Sequence, residues 1–231
     1  MSTGIVLRKT SLTDYPGRVS SVIFIPGCNL RCPWCHNREL VLGTAQLNKE
    51  LISLDEGLAH IRKRQSVLGG VVLSGGEPCL YPELDGLIAE IKKLPLPVKL
   101  DTNGMCPDVL EKLFRCPETC PDYIALDLKT SPDRYAELLP EGSRLPAALL
   151  LKKSAALVRE SGIAYEFRSL DLPRLPGQEG FFTERDIEAL APLTGIAAGS
   201  DGNVRPDGVI WHLRPFRGGN CLNKEWDKVK W

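Results

Sequence analysis

Three cysteines stand at the first, fifth and eighth positions of the run Cys28 to Cys35, within Pro26-Gly27-Cys28-Asn29-Leu30-Arg31-Cys32-Pro33-Trp34-Cys35-His36-Asn37. Pro26, Gly27 and Pro33 interrupt helix and strand ladders, so the stretch reads as a loop. It directly follows the apolar segment Val22-Ile23-Phe24-Ile25. A tight loop lets three thiolates converge on one point, which suits metal chemistry. Structural zinc takes four ligands, and an ordinary [4Fe–4S] cluster takes four cysteines. Three cysteines therefore suggest a cluster with one iron left open. A Cys3His zinc site completed by His36 is the competing reading, and spacing alone leaves both open.

The elements that must position this loop follow from local pattern. Ile5 to Arg8 reads as a short edge strand, and Thr13 to Arg18 as a turn in which Pro and Gly adjoin. Val19 to Ile25 is β-branched and nearly continuous, as in a strand buried on both faces. Ser53 caps a helix to about Val67, with acidic Asp55 and Glu56 at its positive end. Further strands are expected at Val71–Leu73, Val98–Leu100, Tyr123–Leu126, Ala164–Arg168 and Val209–Leu213. Helices are expected at Pro82–Lys93, Pro107–Arg115, Pro146–Ser161 and from Thr183 to about Leu193. Alternating strands and helices predict a parallel sheet with right-handed crossovers. No Gly-rich dinucleotide fingerprint follows the first strand, so the expected fold is an open (β/α)6 barrel forming a single domain over 1–231.

Ligands of such a barrel gather at the C-terminal ends of its strands. Cys28, Cys32 and Cys35, the turn Gly75-Gly76-Glu77, Asp101-Thr102-Asn103, Asp127-Leu128-Lys129 and Arg168 all follow or end separate strands. Each has a plain explanation alone, since Gly-Gly-Glu-Pro and Asp-Thr-Asn-Gly are turn sequences. Together they are expected to share one rim, for which a zinc knuckle has no use.

Composition excludes several function classes. The 29 basic and 29 acidic residues balance, which argues against nucleic acid as the main partner. Hydrophobic content of 43% and charged content of 25% fit a soluble globular chain. No segment approaches the roughly 18 apolar residues of a membrane span, and no secretory signal is visible. Eight cysteines under those conditions point to a reducing cytoplasm.

Cys28-x3-Cys32-x2-Cys35 with Trp34 before the third cysteine resembles the signature of the radical S-adenosylmethionine (SAM) enzymes, and Gly75-Gly76-Glu77-Pro78 resembles that family's second motif. Cys35-His36-Asn37, Asp101-Thr102-Asn103-Gly104 and Asp127-Leu128-Lys129 resemble the glycyl-radical-enzyme activases. The opening Lys9-Thr10-Ser11-Leu12-Thr13-Asp14-Tyr15-Pro16-Gly17 looks most like the activating proteins of anaerobic ribonucleoside-triphosphate reductase; Arg214-Pro215-Phe216-Arg217 fits less specifically.

The resemblance implies a [4Fe–4S] cluster on Cys28, Cys32 and Cys35, with SAM chelating the fourth iron. It places Trp34 near the adenine and the backbone of Gly75, Gly76 and Glu77 at the SAM amino group. It puts Asp101, Thr102 and Asp127 near the SAM carboxylate, around a monovalent cation, with Asn103 in the same turn and Lys129 paired to that carboxylate. Arg168 is a SAM or substrate contact, with surface salt bridging as its plain alternative. The implied reaction cleaves SAM reductively to a 5′-deoxyadenosyl radical, which takes a hydrogen from a glycine of a partner enzyme. The implied partners are that glycyl-radical enzyme and a flavodoxin or ferredoxin-type electron donor, and no catalytic residue beyond cluster and SAM is required.

Two further readings are an activase of another glycyl-radical enzyme, or radical chemistry on a small molecule or peptide. A non-catalytic zinc or electron-transfer module is the remote one. Of the remaining cysteines, Cys116 and Cys120 are expected at the opposite end of the barrel, and Cys79, Cys106 and Cys221 on the rim side. Buried or incidental thiols are preferred for these five over a second metal site.

Overall fold

The computed structural model describes residues 4–172, 182–195 and 210–229. They form two compact units. The first comprises 4–29, 37–102 and 108–124, and the second comprises 30–36, 103–107 and the described residues from 125 onward.

In the first unit, β1 (Gly4–Tyr15) and β2 (Arg18–Ile25) make an antiparallel hairpin in which Tyr15 pairs with Arg18. Pro16-Gly17 connects them, and Gly17 has φ of 69°, a left-handed conformation that glycine adopts without strain. The cysteine loop is followed by α1 (Arg38–Leu42), α2 (Ala45–Glu50) and the short β3 (Ile52–Ser53), which pairs antiparallel with β1. Then come α3 (Leu54–Arg64), β4 (Gly70–Gly75), α4 (Leu84–Lys92), β5 (Val98–Thr102) and α5 (Pro107–Phe114).

The strand order of this unit is β3-β1-β2-β4-β5. β2 and β4 run parallel in register from Ser20↔Gly70 to Ile25↔Gly75, and β4 and β5 from Val71↔Val98 to Leu73↔Leu100. Val22, Ile23, Val71, Val72, Leu73, Val98 and Leu100 are wholly buried. Their burial on either face explains the continuous apolar runs of these strands. At the start of α3 the Ser53 hydroxyl accepts from the Glu56 amide at 3.1 Å, and the Glu56 carboxylate accepts from the Ser53 amide at 2.9 Å. This reciprocal cap fixes where the crossover helix begins.

The second unit carries the end of β6 (Tyr123–Asp127), a 3-10 helix (Pro132–Leu138), α6 (Ala147–Glu160), β7 (Ala164–Asp171), α7 (Glu184–Thr194), β8 (Ile210–Pro215) and a last 3-10 helix (Lys224–Lys228). β7 and β8 are parallel, in register from Glu166↔Ile210 to Asp171↔Pro215. Asp186 anchors α7: one carboxylate oxygen accepts from the Thr183 amide at 2.8 Å, and the other from the Ser131 amide at 2.9 Å. The sheet is mostly parallel and is not closed.

One expectation needs correction, one span had no assignment, and one residue of a predicted strand lies outside the described residues. The first strand is not a four-residue edge, because β1 is 12 residues long and lies between β2 and β3. Its apolar pattern is broken by register shifts between Arg8 and Ser11 and between Ser11 and Tyr15, and Ser11 itself bonds Asp14. Polar residues bonded across a bulge look like turn chemistry in one dimension. Next, α1, α2 and β3 fill 38–53, a span without a sequence assignment. Finally, Val209 lies outside the described residues, and the last strand is described from Ile210.

Candidate functional site

The cysteine loop belongs to both units, with Cys28 in the first and Cys32 and Cys35 in the second. In the first unit the loop is bonded to the glycine turn at the end of β4. The Gly76 amide donates to the Ile25 carbonyl at 2.9 Å, and the Glu77 amide to the Gly27 carbonyl at 2.8 Å. Asn37 reaches back over the same turn, its Nδ2 donating to the Gly75 carbonyl at 2.8 Å.

This approach is possible only for glycine. Gly75 has φ of 128°, and a Cβ there would run into the backbone of Ile25. A Cβ on Gly76 would lie inside the Gly27 carbonyl and 3.2 Å from the Cys28 Cβ. The second motif is therefore packed backbone to backbone against the first cysteine.

Glu77 turns its side chain inward. It is wholly buried and accepts from the Thr102 hydroxyl at 2.8 Å and the Cys79 amide at 3.0 Å. Turn and β5 are thereby tied together, and Cys79 Sγ lies 3.6 Å from Thr102 Oγ1 within the same buried set. Asp101 is held on both carboxylate oxygens. Lys99 Nζ is 2.5 Å from Oδ1, and Ser74 Oγ donates to Oδ2 at 3.0 Å.

In the second unit, the Cys35 amide donates to the Cys32 carbonyl at 3.0 Å, closing a turn that brings these two residues together. The segment after β8 lies along this turn. Leu222 donates to the Cys35 carbonyl at 3.0 Å and Asn223 to the Pro33 carbonyl at 2.8 Å. Trp34 is buried against Trp226 with ring centres 5.6 Å apart, while His36 stacks on Phe216 at 5.4 Å and Phe216 meets Trp226 edge-on. Cys221 is buried beside them, and burial pushes its thiol up to about 11.

Truncating this anchor tests how firmly the loop is held. Trp226→Ala should cost about 3–5 kcal/mol, as for a fully buried indole, read as a lower midpoint in urea unfolding.

The remaining polar residues of the second unit form one charged group. Asp127 Oδ1 accepts from Arg168 Nε at 2.7 Å, and Oδ2 from Lys129 Nζ at 2.9 Å. Burial opposes the charge on Asp127, but Arg168 and Lys129 outweigh it and hold the carboxyl well below the usual range. Burial likewise opposes charge on Lys129, and Asp127 with Cys32 raises it above the ordinary lysine value. Tyr135 braces the turn, its hydroxyl accepting from the Lys129 amide at 2.7 Å and donating to the Asp127 carbonyl at 3.1 Å. Asn103 caps its own turn by accepting from the Met105 amide at 3.0 Å.

The structure thus gathers Cys28, Gly75 and Gly76 in one place, Glu77, Thr102 and Asp101 along β4 and β5, and Asp127, Lys129 and Arg168 in a third. Among the described residues, no three His, Cys, Asp or Glu side chains are drawn together as a metal set. Sequence reasoning gave no role to Lys99, Ser74, Tyr135 or residues 222–226. Only Lys99 carried a signal, as a lone cation inside the apolar strand Val98–Leu100.

A family model for the radical SAM superfamily matches residues 22–162, a span holding the cysteine loop, the glycine turn and the acids of β5 and β6. The chain belongs to the radical SAM superfamily. Membership implies a [4Fe–4S] cluster and SAM as cofactors and an oxidoreductase chemistry. A Methanocaldococcus jannaschii protein named as a glycyl-radical enzyme activating enzyme, MJ1227, is 33% identical over 185 residues, covering 78% of this chain and 70% of that protein. The pyruvate formate-lyase-activating enzyme of Listeria monocytogenes is 34% identical over 134 residues, or 54% of this chain and 52% of the relative. The Staphylococcus aureus enzyme of that name is 33% identical over 124 residues, or 50% and 48%. The chain spans about half the length of these pyruvate formate-lyase-activating relatives.

Among solved structures, native anSMEcpe with bound AdoMet and Kp18Cys peptide matches with a TM-score of 0.57 at 14% identity, covering 85% of this chain and 51% of that one. Native anSMEcpe with bound AdoMet matches at 0.55 and 14%, covering 83% and 49%. At this identity the likeness shows the fold, an open partial barrel. No helix among the described residues is long and apolar enough to cross a membrane.

Proposed function

We propose that the chain, as a single radical SAM domain in the cytoplasm, is an activating enzyme that installs a glycyl radical on anaerobic ribonucleoside-triphosphate reductase. One observation carries the cofactor part of the reading. The glycine turn after β4 is packed against the first cysteine so closely that a side chain on Gly76 would run into the Gly27 carbonyl. A backbone cradle beside a cysteine loop fits an amino acid that must be held at an iron.

In this reading Cys28, Cys32 and Cys35 hold the [4Fe–4S] cluster, and the backbone of Gly75, Gly76 and Glu77 faces the SAM amino group. Asp101, Thr102, Asp127 and Lys129 serve the SAM carboxylate with Asn103 in the same turn, Arg168 contacts SAM or substrate, and Trp34 lies on the adenine side. With both bound, the site would support reductive cleavage of SAM, in which one electron from a reduced cluster breaks the C–S bond to give methionine and a 5′-deoxyadenosyl radical. The protein's part is to bind, orient and keep water out. Glu77 does its share by locking the turn to Thr102, and Trp34 by filling the space against Trp226. The Lys129–Arg168 pair leaves a net positive charge around Asp127, which favours an anionic carboxylate nearby.

Activation of the reductase rests on the opening Lys9 to Gly17 motif. A second reading, activation of another glycyl-radical enzyme, is favoured by the names of the relatives. Anaerobically reconstituted chain, SAM, a reductant and the reductase should give a glycyl radical signal in electron paramagnetic resonance. A signal with pyruvate formate-lyase and none with the reductase would transfer the assignment to the second reading. A colourless protein that keeps zinc would remove both.

A further inference from the structure

We propose that Lys99 supplies Asp101 with a built-in monovalent cation, so that this carboxylate takes no potassium or sodium ion when SAM binds. The inference rests on the SAM-binding role of Asp101 given above, and goes beyond it by replacing the expected cation with a side chain.

Lys99 is 1% exposed, in the middle of β5, flanked by Val98 and Leu100 with no exposure at all. Residues i and i+2 of a strand share a face, so the sequence Lys99-Leu100-Asp101 sends ammonium and carboxylate the same way. Their atoms meet at 2.5 Å. The Lys99 ammonium also lies over the Tyr123 ring, 5.9 Å from its centre, an arrangement that favours a cation there. Ser74 Oγ takes the other Asp101 oxygen at 3.0 Å.

A buried ammonium such as Lys99 is costly unless an anion answers it, and the partly buried Asp101 carboxylate, 12% exposed, gains from a cation for the same reason. Each settles the other's charge here. The lysine carries the single charge that an alkali ion would bring, and places it 2.5 Å from Oδ1. The acid of the second unit is treated likewise, since Asp127 bonds Lys129 and Arg168. Each of the two acids thus has its countercharge inside its own unit.

The test compares potassium with tetramethylammonium in otherwise identical buffers, on wild type and on Lys99→Met, whose unbranched side chain is one atom shorter and carries no charge. In thermal unfolding, wild type should show the same midpoint in both buffers, and Lys99→Met should be raised by potassium. For SAM affinity of the cluster-loaded protein, wild type should change less than about two-fold, while Lys99→Met should bind at least about ten-fold more weakly without potassium and recover with it, the loss expected of one charge-assisted contact. Wild type stabilised by potassium, or binding SAM ten-fold more tightly in it, overturns the inference, and these arms hold even where Lys99→Met fails to fold. Lys99→Met indifferent to potassium also overturns it. Wild type that takes up no iron and binds no SAM would defeat the functional reading instead, and the unfolding series would still decide the cation question.

Discussion

Gly76→Ala is expected to lower SAM cleavage by about 100-fold, the loss that follows when a binding group is displaced by about 1 Å. The added methyl lies inside the Gly27 carbonyl, and the atom in the way is backbone, which has no rotamer to escape into. Gly27 and Cys28 must therefore move, taking the first cysteine with them. The same displacement breaks the 2.8 Å bond between the Glu77 amide and the Gly27 carbonyl. Overpacking of this kind costs about 1–3 kcal/mol of stability, so the chain should fold while its site is spoiled. Iron content, SAM affinity and urea midpoint, measured together, separate the two effects. Gly86→Ala is the matched control. Gly86 is exposed in α4, a methyl added there would meet nothing within 4 Å, and alanine should stabilise the helix by about 0.5–1 kcal/mol. Equal activity of the two variants would show that the close approach of turn and cysteine is not needed.

Asp127→Ala is expected to cost about 2–3 kcal/mol, less than a fully buried ion pair would lose because water still reaches the group in part. The side chains of Asp127, Lys129 and Arg168 are 24%, 23% and 14% exposed. Removing the acid leaves two cations facing each other. The pH dependence follows from the direction of the shift. The Asp127 carboxyl is held below its ordinary range in the folded chain, so its contribution is present above the unfolded carboxylate range and is lost as pH falls from there through the depressed folded value. Wild-type stability should therefore decline on acidification below about pH 4, and Asp127→Asn should flatten that decline while lowering stability at neutral pH. Denaturant midpoints over a pH series measure both. An acid limb as steep in Asp127→Asn as in wild type would contradict the assignment of the charge to this carboxyl.

Much of the fold was legible because its strands are buried on both faces. Val22-Ile23-Phe24-Ile25, Val71-Val72-Leu73 and the capping box at Ser53 are local signals, and each matches an element. The first strand was misread because β1 carries its polar residues across two register shifts, where pairing rather than hydrophobicity maintains the strand. The short helices at 38–50 escaped because only Leu40, Val41 and Leu47 are buried there, too few for a periodic pattern.

The candidate site divides along the same line. The sequence by itself determined the spacing of Cys28, Cys32 and Cys35, the paired glycines at 75 and 76, and the acids that end β5 and β6, because each is a feature of a few consecutive residues. Even the Lys99–Asp101 pair needs only the strand period once β5 is assigned. Tertiary structure alone decided which groups answer those residues. Arg168 reaches Asp127 because the Leu128 amide bonds the Arg168 carbonyl, which sets the two chains side by side. Asn223 and Trp226 close over Pro33 and Trp34 from the far end of the chain. Side-chain type and local spacing specify what chemistry is available; strand register and long-range packing choose each group's partners, and no short stretch of sequence encodes those.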